Sequence, residues 1–324
     1  MTKAVRIHET GGPSVMQLET IDLPDPGPGQ VRVRHTAIGL NFIDTYHRSG
    51  VYPVPLPSGL GLEAAGIVEE TGEGVSTLKP GDRIAYGNGP IGAYAEAANV
   101  FANRVAKIPG PVSDEQAAAL MLKGMTVRYL FKDTYPLEPG DTILFHAAAG
   151  GVGQIACQWA KDLGVTLIGT AGSDEKCAIA RRKGAAHMIN YSREDVPARV
   201  RELTGGQGVP VVYDGVGKAT FEMSLDCLAP RGLLATFGNA SGTVTGVDLG
   251  ILTQKGSLYV TRPSLMHYVA RDEDLAANTA DVFDALARGA ISAEVNQRYA
   301  LADAVTAHED LEGRRTTGAS VLVP

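Results

Sequence analysis

The sequence predicts an α/β chain of two domains, a small β-barrel-type unit and a doubly wound parallel sheet of six strands. Three observations lead there. The 324 residues suffice for about two domains, each burying a core of its own. Residues 1 to about 110 hold short β-type runs separated by Gly and Pro. Beyond them, Thr142-Ile-Leu-Phe-His-Ala-Ala-Ala-Gly-Gly-Val-Gly-Gln-Ile-Ala-Cys157 reads as an apolar strand entering a glycine turn and then a helix, and strands and helices alternate from there on.

The N-terminus, Met1-Thr-Lys-Ala-Val-Arg-Ile-His8, lacks the apolar core of a secretory signal and reads as a first strand, centred on 4–7. Further β-type runs follow at 31–37, 66–70, 83–86 and 93–99. Asp25-Pro-Gly-Pro-Gly-Gln30 and Lys79-Pro-Gly-Asp82 mark chain reversals, because Pro fixes φ and Gly tolerates positive φ. Ser113-Asp-Glu-Gln116 is a capping box that opens a helix with Ala118, Leu122, Met125 and Tyr129 along one face, the link between the domains. The alternation then runs strand 142–147, helix 153–163, strand 165–170, helix 174–183, strand 187–190, helix 194–203, strand 209–213, helix 220–228, and strands 232–237 and 257–261. A helix at 272–288 repeats Leu275, Thr279, Val282, Phe283 and Leu286 on one face and is closed by Gly289. The last strand, 320–323, has no place in the parallel sheet and is expected to return to the N-terminal domain. The division expected is 1–125 with 265–324 for the catalytic domain, and 126–264 for the dinucleotide domain.

A net charge of −7 gives no global attraction for nucleic acid or anionic lipid. The three cysteines, Cys157, Cys177 and Cys227, are oddly spaced within apparently regular structure, which excludes a disulfide framework and fits buried small side chains in a cytoplasmic protein. Residues 142–160 carry no formal charge apart from His146, yet their glycines, glutamines and change of period argue for a buried βα unit rather than a membrane span.

In that βα unit Gly150 and Gly151 are read as the sharp turn that approaches a dinucleotide pyrophosphate. Gly153 leaves room for the helix on the strand, Ala148 stands in the first glycine's place, and the helix N-terminus offers N–H groups to the anion. An NAD site carries an acid at the end of the second strand; here Gly169-Thr-Ala-Gly-Ser-Asp-Glu-Lys176 puts Ala171, Gly172 and Ser173 in that place. Lys176 is positioned to reach a 2′-phosphate, so NADPH is expected, with NADH kept open by Asp174 turning inward.

Gly39-Leu-Asn-Phe-Ile-Asp-Thr-Tyr46, Gly59-Leu-Gly-Leu-Glu-Ala-Ala-Gly66, Ala147-Ala-Ala-Gly-Gly-Val-Gly153, Val212-Tyr-Asp214 and Tyr259-Val-Thr-Arg-Pro-Ser264 resemble the quinone oxidoreductase branch, which includes zeta-crystallin, of the medium-chain dehydrogenase/reductase superfamily. The resemblance runs essentially end to end. It implies a GroES-like catalytic domain, a Rossmann domain and a homodimer. The positions matching the zinc ligands of the alcohol dehydrogenases are Asn41, Leu62 and Lys123, none of them a side chain that binds zinc. Transfer from NADPH to a quinone in a zinc-free cleft between domains is therefore implied. Asn41, Tyr46 and Tyr52 are the substrate-pocket candidates, being donors that need no change of charge. For the cofactor the resemblance implies Asn41, Tyr129, Gly150, Gly151, Val152, Gly153, Gly172, Ser173, Lys176, Tyr191, Val216, Phe237, Gly238, Asn239, Arg262, Ser264 and Arg314. Ordinary structural readings stay open for several: packing for Tyr46, Tyr52 and Phe237, a helix cap for Ser173, an ion pair for Arg262. Reduction of an enal or enone double bond is the nearest alternative activity, and one- or two-electron output is undecided. A crystallin-like or RNA-binding role is the alternative of another class, and the acidic charge balance argues against RNA.

Overall fold

A computed structural model describes residues 1–324, which divide into two units. One comprises Met1–Met125, Val269–Phe283 and Ala293–Pro324; the other comprises Thr126–Tyr268 and Asp284–Ser292. Residues 265–268 and 284–292, assigned by the sequence division to the catalytic domain, thus sit in the second unit. Specific contacts hold them there: Tyr268 stacks on Tyr129 at 4.5 Å, Arg288 forms a bidentate pair with Asp162 at 2.8 Å, and the Ser292 amide donates to Gln158 at 2.9 Å.

The first unit contains β1 (Thr2–Ile7), β2 (Met16–Ile21), β3 (Gln30–Gly39), α1 (Phe42–Ser49), β4 (Ser58–Gly59), β5 (Ala64–Thr71), β6 (Arg83–Tyr86), β7 (Ala97–Phe101) and β8 (Ala106–Lys107). β1 lies between β2 and β4, with both pairings antiparallel. β3 organises the larger sheet: Val31 and Val33 point inward at full burial while Arg32 and Arg34 face out to Glu70 and Glu69, and beyond register shifts in the pairing with β5 the residues Ala37, Ile38 and Gly39 are all buried. It pairs β5 on one edge; on the other its first half pairs β7 and its last two residues pair the C-terminal strand. Residues 93–96 were expected to be strand. They instead leave the ladder, with Ala93 and Tyr94 donating to Gly61 and Leu60 as the chain crosses beside β1. Val5, Ile7, Val33, Leu60, Ile84, Tyr86, Tyr94 and Leu322 share one core, each large side chain contributing about 1.5–3 kcal/mol of burial.

α2 (Asp114–Tyr129) starts at the expected capping box, with Gln116 N–H donating to Ser113 Oγ at 3.1 Å and Ser113 N–H to Gln116 Oε1 at 3.0 Å. The second unit then runs β9 (Thr142–Phe145), α3 (Gly151–Asp162), β10 (Thr166–Ala171), α4 (Asp174–Arg182), β11 (His187–Asn190), α5 (Val196–Leu203), β12 (Val209–Asp214), α6 (Phe221–Cys227), β13 (Leu228–Thr236), α7 (Gly250–Gln254), β14 (Tyr259–Thr261) and α8 (Leu265–Tyr268). Its six strands are all parallel in the order β11-β10-β9-β12-β13-β14, as the alternation implies. The order reverses beside β9, and at such a switch point ligands bind outside the strands' carboxyl ends. α9 (Asp272–Ala287) ends at Gly289, φ 74°. β15 (Val295–Ala300), α10 (Ala304–Glu312) and β16 (Ala319–Val323) complete the first unit, β16 pairing antiparallel to β3 and parallel to β15. No helix is long and apolar enough to cross a membrane.

His35 in β3 is buried, and that burial keeps it neutral. Its Nδ1–H donates to the Ala95 carbonyl at 2.8 Å, and its Nε2 accepts from the Tyr86 hydroxyl at 2.8 Å. Burial lowers its pKa from 6.5 to about 4, so its contribution to stability is complete above pH 6.5 and is lost as pH falls through about 4. His35→Gln is expected to lower the melting temperature by several degrees at about pH 8, with the gap to the unsubstituted chain narrowing as the buffer approaches about pH 4. Thermal melts across that range check it.

Candidate functional site

In the second unit the site grows from the carboxyl ends of β9 to β14. Gly153 behaves as read from the sequence: a Cβ there would stand 2.5 Å from the Ala147 carbonyl and 2.6 Å from Ala148 Cα, so the first turn of α3 closes on β9 only with glycine. The sharp turn itself is elsewhere. Ala147, φ 54°, takes the left-handed conformation, while Gly150 is the extended N-cap of α3 (φ −77°, ψ 173°) and Gly151 opens the helix with Val152 beside it. Gly150 and Gly151 thus serve by leaving the helix N-terminus bare rather than by reversing the chain.

At the end of β10, Gly172 lies under Tyr191, whose hydroxyl would be 2.6 Å from an added Cβ. Ser173 is the N-cap of α4, its Oγ accepting from the Lys176 amide at 3.3 Å. Asp174 does not turn inward: Oδ1 accepts from Asn190 Nδ2 at 2.9 Å and pairs with Arg193. At the end of β12 the buried Asp214 accepts from the Val216 and Gly217 amides at 2.7 and 3.1 Å, and from the Thr220 and Ser224 hydroxyls at 2.7 and 3.0 Å. Ser224 meets His146 Nε2 at 3.0 Å, and His146 Nδ1 meets Thr170 at 2.9 Å, so one buried network ties the ends of β9, β10 and β12. Burial holds His146 below the usual imidazole range.

Gly238 lets the ends of β12 and β13 meet, since a Cβ would lie 2.2 Å from the Gly215 carbonyl. Half-buried Phe237 packs 5.9 Å from Phe145, and Asn239 closes the turn to Gly242. Arg262 donates to the Thr236 and Gly238 carbonyls at 3.0 and 2.9 Å, a clamp from the end of β14 to that of β13. Ser264 follows β14, its carbonyl accepting from the His267 amide at 3.0 Å, and the buried Tyr129 underlies Tyr268. Arg314, with φ 57°, lies in the first unit in the link between α10 and β16.

The first unit carries a second cluster. Asn41 is the N-cap of α1; its Nδ2 donates to Glu63 Oε2 at 2.8 Å. The same oxygen accepts from Lys123 Nζ at 3.1 Å, and Glu63 Oε1 accepts from the Leu122 amide at 2.6 Å. Glu63 is wholly buried, and Gly39 makes room for it: a Cβ at Gly39 would fall 2.0 Å from Oε2. Leu62 is buried beside these residues in sequence. Tyr46, one turn along α1, is buried, and half-buried Tyr52 meets it edge-on at 5.3 Å. Beneath α1, Asp44 Oδ2 accepts from the Asn41 amide and the Tyr94 hydroxyl, both at 2.9 Å, while Oδ1 has no partner. Burial raises the Asp44 pKa to about 7. Tyr94 Oη lies 3.1 Å from His308 Nε2, and Arg48 Nη1 donates to His308 Nδ1 at 3.0 Å while pairing with Glu312. Burial, then the Arg48 charge, lowers His308 to about 3.

The sequence profile described as "Alcohol dehydrogenase GroES-like domain" matches residues 27–110, and the one described as "Zinc-binding dehydrogenase" matches residues 151–279. A quinone oxidoreductase of Pseudomonas aeruginosa is 57% identical with all of both chains covered. This chain belongs to the quinone oxidoreductase branch of the medium-chain dehydrogenases/reductases. The Escherichia coli quinone oxidoreductase, whose crystal structure was solved complexed with NADPH, is 53% identical and superposes with a TM-score of 0.98, covering 99% of this chain and 100% of the other. A 2-haloacrylate reductase of Burkholderia sp. is 45% identical over 100% of this chain and 99% of its own.

Zinc does not fit this member of the quinone oxidoreductase branch, in spite of that profile's description. No group of three His, Cys, Asp or Glu side chains could hold a metal. Of the three positions matched to the ligands, Asn41 and Lys123 each donate a hydrogen to Glu63, neither an amide nitrogen nor an ammonium offers a lone pair to a metal, and the Lys123 ammonium already supplies the positive charge beside that carboxylate. The sequence reading took Lys123 only as a displaced ligand and passed over Glu63 and Asp44. A signal existed: Lys123 is the only charged residue between Ala117 and Val127.

Proposed function

We propose that the chain is a zinc-independent NADPH:quinone oxidoreductase, a reading carried by its end-to-end similarity to quinone oxidoreductases, one of them solved with NADPH. Bound NADPH would supply a hydride. The N-terminal amides of α3 and the bare Gly150–Gly153 turn suit its pyrophosphate, since a helix N-terminus carries about half a positive charge. Gly172, the outward-held Asp174 and Lys176 suit a 2′-phosphate at the end of β10. The other second-unit residues assigned to the cofactor, Tyr129, Tyr191, Val216, Phe237, Gly238, Asn239, Arg262 and Ser264, would hold its remaining length; Asn41 and Arg314, which the family resemblance also assigns to it, belong to the first unit. Asn41, Tyr46 and Tyr52 would orient the acceptor through neutral donors. A quinone is an electrophile without metal assistance, so positioning and hydrogen bonding suffice.

Reduction of an activated carbon–carbon double bond is the second reading, favoured by the likeness to the 2-haloacrylate reductase. A homodimer formed along β14 is supported by the exposure of Tyr259 and Val260 on that sheet edge, with Leu249 exposed nearby in sequence. A cytoplasmic location fits three buried, unpaired cysteines.

With chelator-treated protein, NADPH oxidation is expected to be fast with benzoquinones and naphthoquinones and slower by at least about tenfold with enals; a reversed order would favour the second reading, and loss of all turnover on chelation would overturn zinc independence. Lys176→Ala should raise the KM for NADPH by about tenfold or more and leave that for NADH nearly unchanged; equal effects would remove the 2′-phosphate assignment. Sedimentation should give twice the chain mass, falling to the monomer in Tyr259→Glu/Val260→Lys.

A further inference from the structure

Lys123 is the only lysine among the buried residues, its side chain 6% exposed. Of the three protons on its ammonium one reaches an acceptor, Glu63 Oε2, and the other two N–H bonds meet no protein acceptor. A buried cation with spare donors is costly, and an apolar pair of similar volume would serve packing as well or better. Packing therefore does not explain it. The pair is also built with care: Glu63 is clamped by the Leu122 amide and by Asn41, Gly39 yields the space for its carboxylate, and Gly87 lets α2 approach, since a Cβ there would lie 2.4 Å from Leu122 N. Because Asn41 Nδ2 and Lys123 Nζ bind the same oxygen, a neutral and a charged donor sit around one point.

We propose that Lys123 is a catalytic residue, its ammonium donating to the quinone oxygen that becomes anionic, and that Glu63 is the positioning residue that fixes it. The assignment rests on the quinone-reductase reading above. In the reaction the quinone gains two electrons and one hydrogen from the reduced nicotinamide as the nicotinamide C4–H bond breaks. The nicotinamide is oxidised to its cationic form, the quinone becomes a hydroquinone monoanion, and one proton from solvent completes the hydroquinone. Lys123 contributes where the negative charge appears, a place where one donor is worth about 10²–10³ in rate. A compact ammonium suits a single oxygen better than a planar guanidinium does.

The test needs two readouts. First, 4-nitrophenol, whose phenolate imitates the anionic oxygen, is titrated by absorbance in the presence of NADP⁺. Bound to the unsubstituted protein it should be more acidic than in water and be displaced by quinone, and in Lys123→Gln/Glu63→Gln, which removes both buried charges together, its acidity should return to the aqueous value. Second, kcat/KM of that double variant should fall about 100-fold, more for weakly oxidising quinones than for strong ones, with NADPH affinity by fluorescence unchanged. No competitive binding, an unmoved acidity in the unsubstituted protein, or a double variant within threefold of it in kcat/KM would overturn the role of Lys123, as would a rate loss without the acidity change. If the unsubstituted protein oxidises NADPH with no quinone, the functional reading fails instead, and the nitrophenol titration still decides whether Lys123 binds an oxyanion.

Discussion

A carboxylate with no access to water, Glu63, dictates the build of the first unit. An ionised group so placed must be matched by charge and hydrogen bonds, or it costs several kcal/mol. The Leu122 amide, Asn41 and Lys123 provide the match, from two elements: the backbone and a side chain of α2 and the cap of α1. The close approach this requires removes side chains at Gly39 and Gly87. Position, charge and backbone composition over four segments are thus consequences of one group.

The chain from Asp44 through Tyr94 and His308 to Arg48 extends the same logic to the far side of α1. Arg48 donates to His308 Nδ1, which leaves Nε2–H for Tyr94 and the tyrosine proton for Asp44. Each donor is spent in one direction, so the helix that presents Asn41 and Tyr46 is anchored to α10 by a polarised line of hydrogen bonds. In the second unit Asp214 has the corresponding task. It gathers two amides and two hydroxyls, and through Ser224 and His146 it fixes the strand ends against one another before any ligand arrives.

Much of this architecture was legible in the sequence because it follows from local periodicity. The capping box at Ser113 and the close packing at Gly153 rest on patterns within a few residues, the six parallel strands on the alternation of such patterns, and the return of the last strand on its having no place in that sheet. What escaped was long-range. The left-handed turn falls on Ala147, three residues before the first glycine of the run, where composition gives no sign of it. Residues 93–96 have strand composition, yet their partners at Leu60 and Gly61 divert them. The 265–268 and 284–292 segments carry no marker of their allegiance, which is settled by an aromatic stack and an ion pair with residues more than a hundred positions away. Glu63 and Lys123 are sixty residues apart, so nothing in either segment announces the other.

The placement of β16 has a bearing on how the chain is assembled during synthesis. The inner end of β3 lacks its neighbour until residues 319–323 have been made, whereas the parallel sheet needs nothing beyond β14. The middle of the polypeptide can therefore close its sheet on the ribosome while the earlier-made strands wait, their edge unpaired and their loop-closure entropy still owed. Here the order of translation and the order of completion are opposed, and the region that waits longest is the one holding the buried charges.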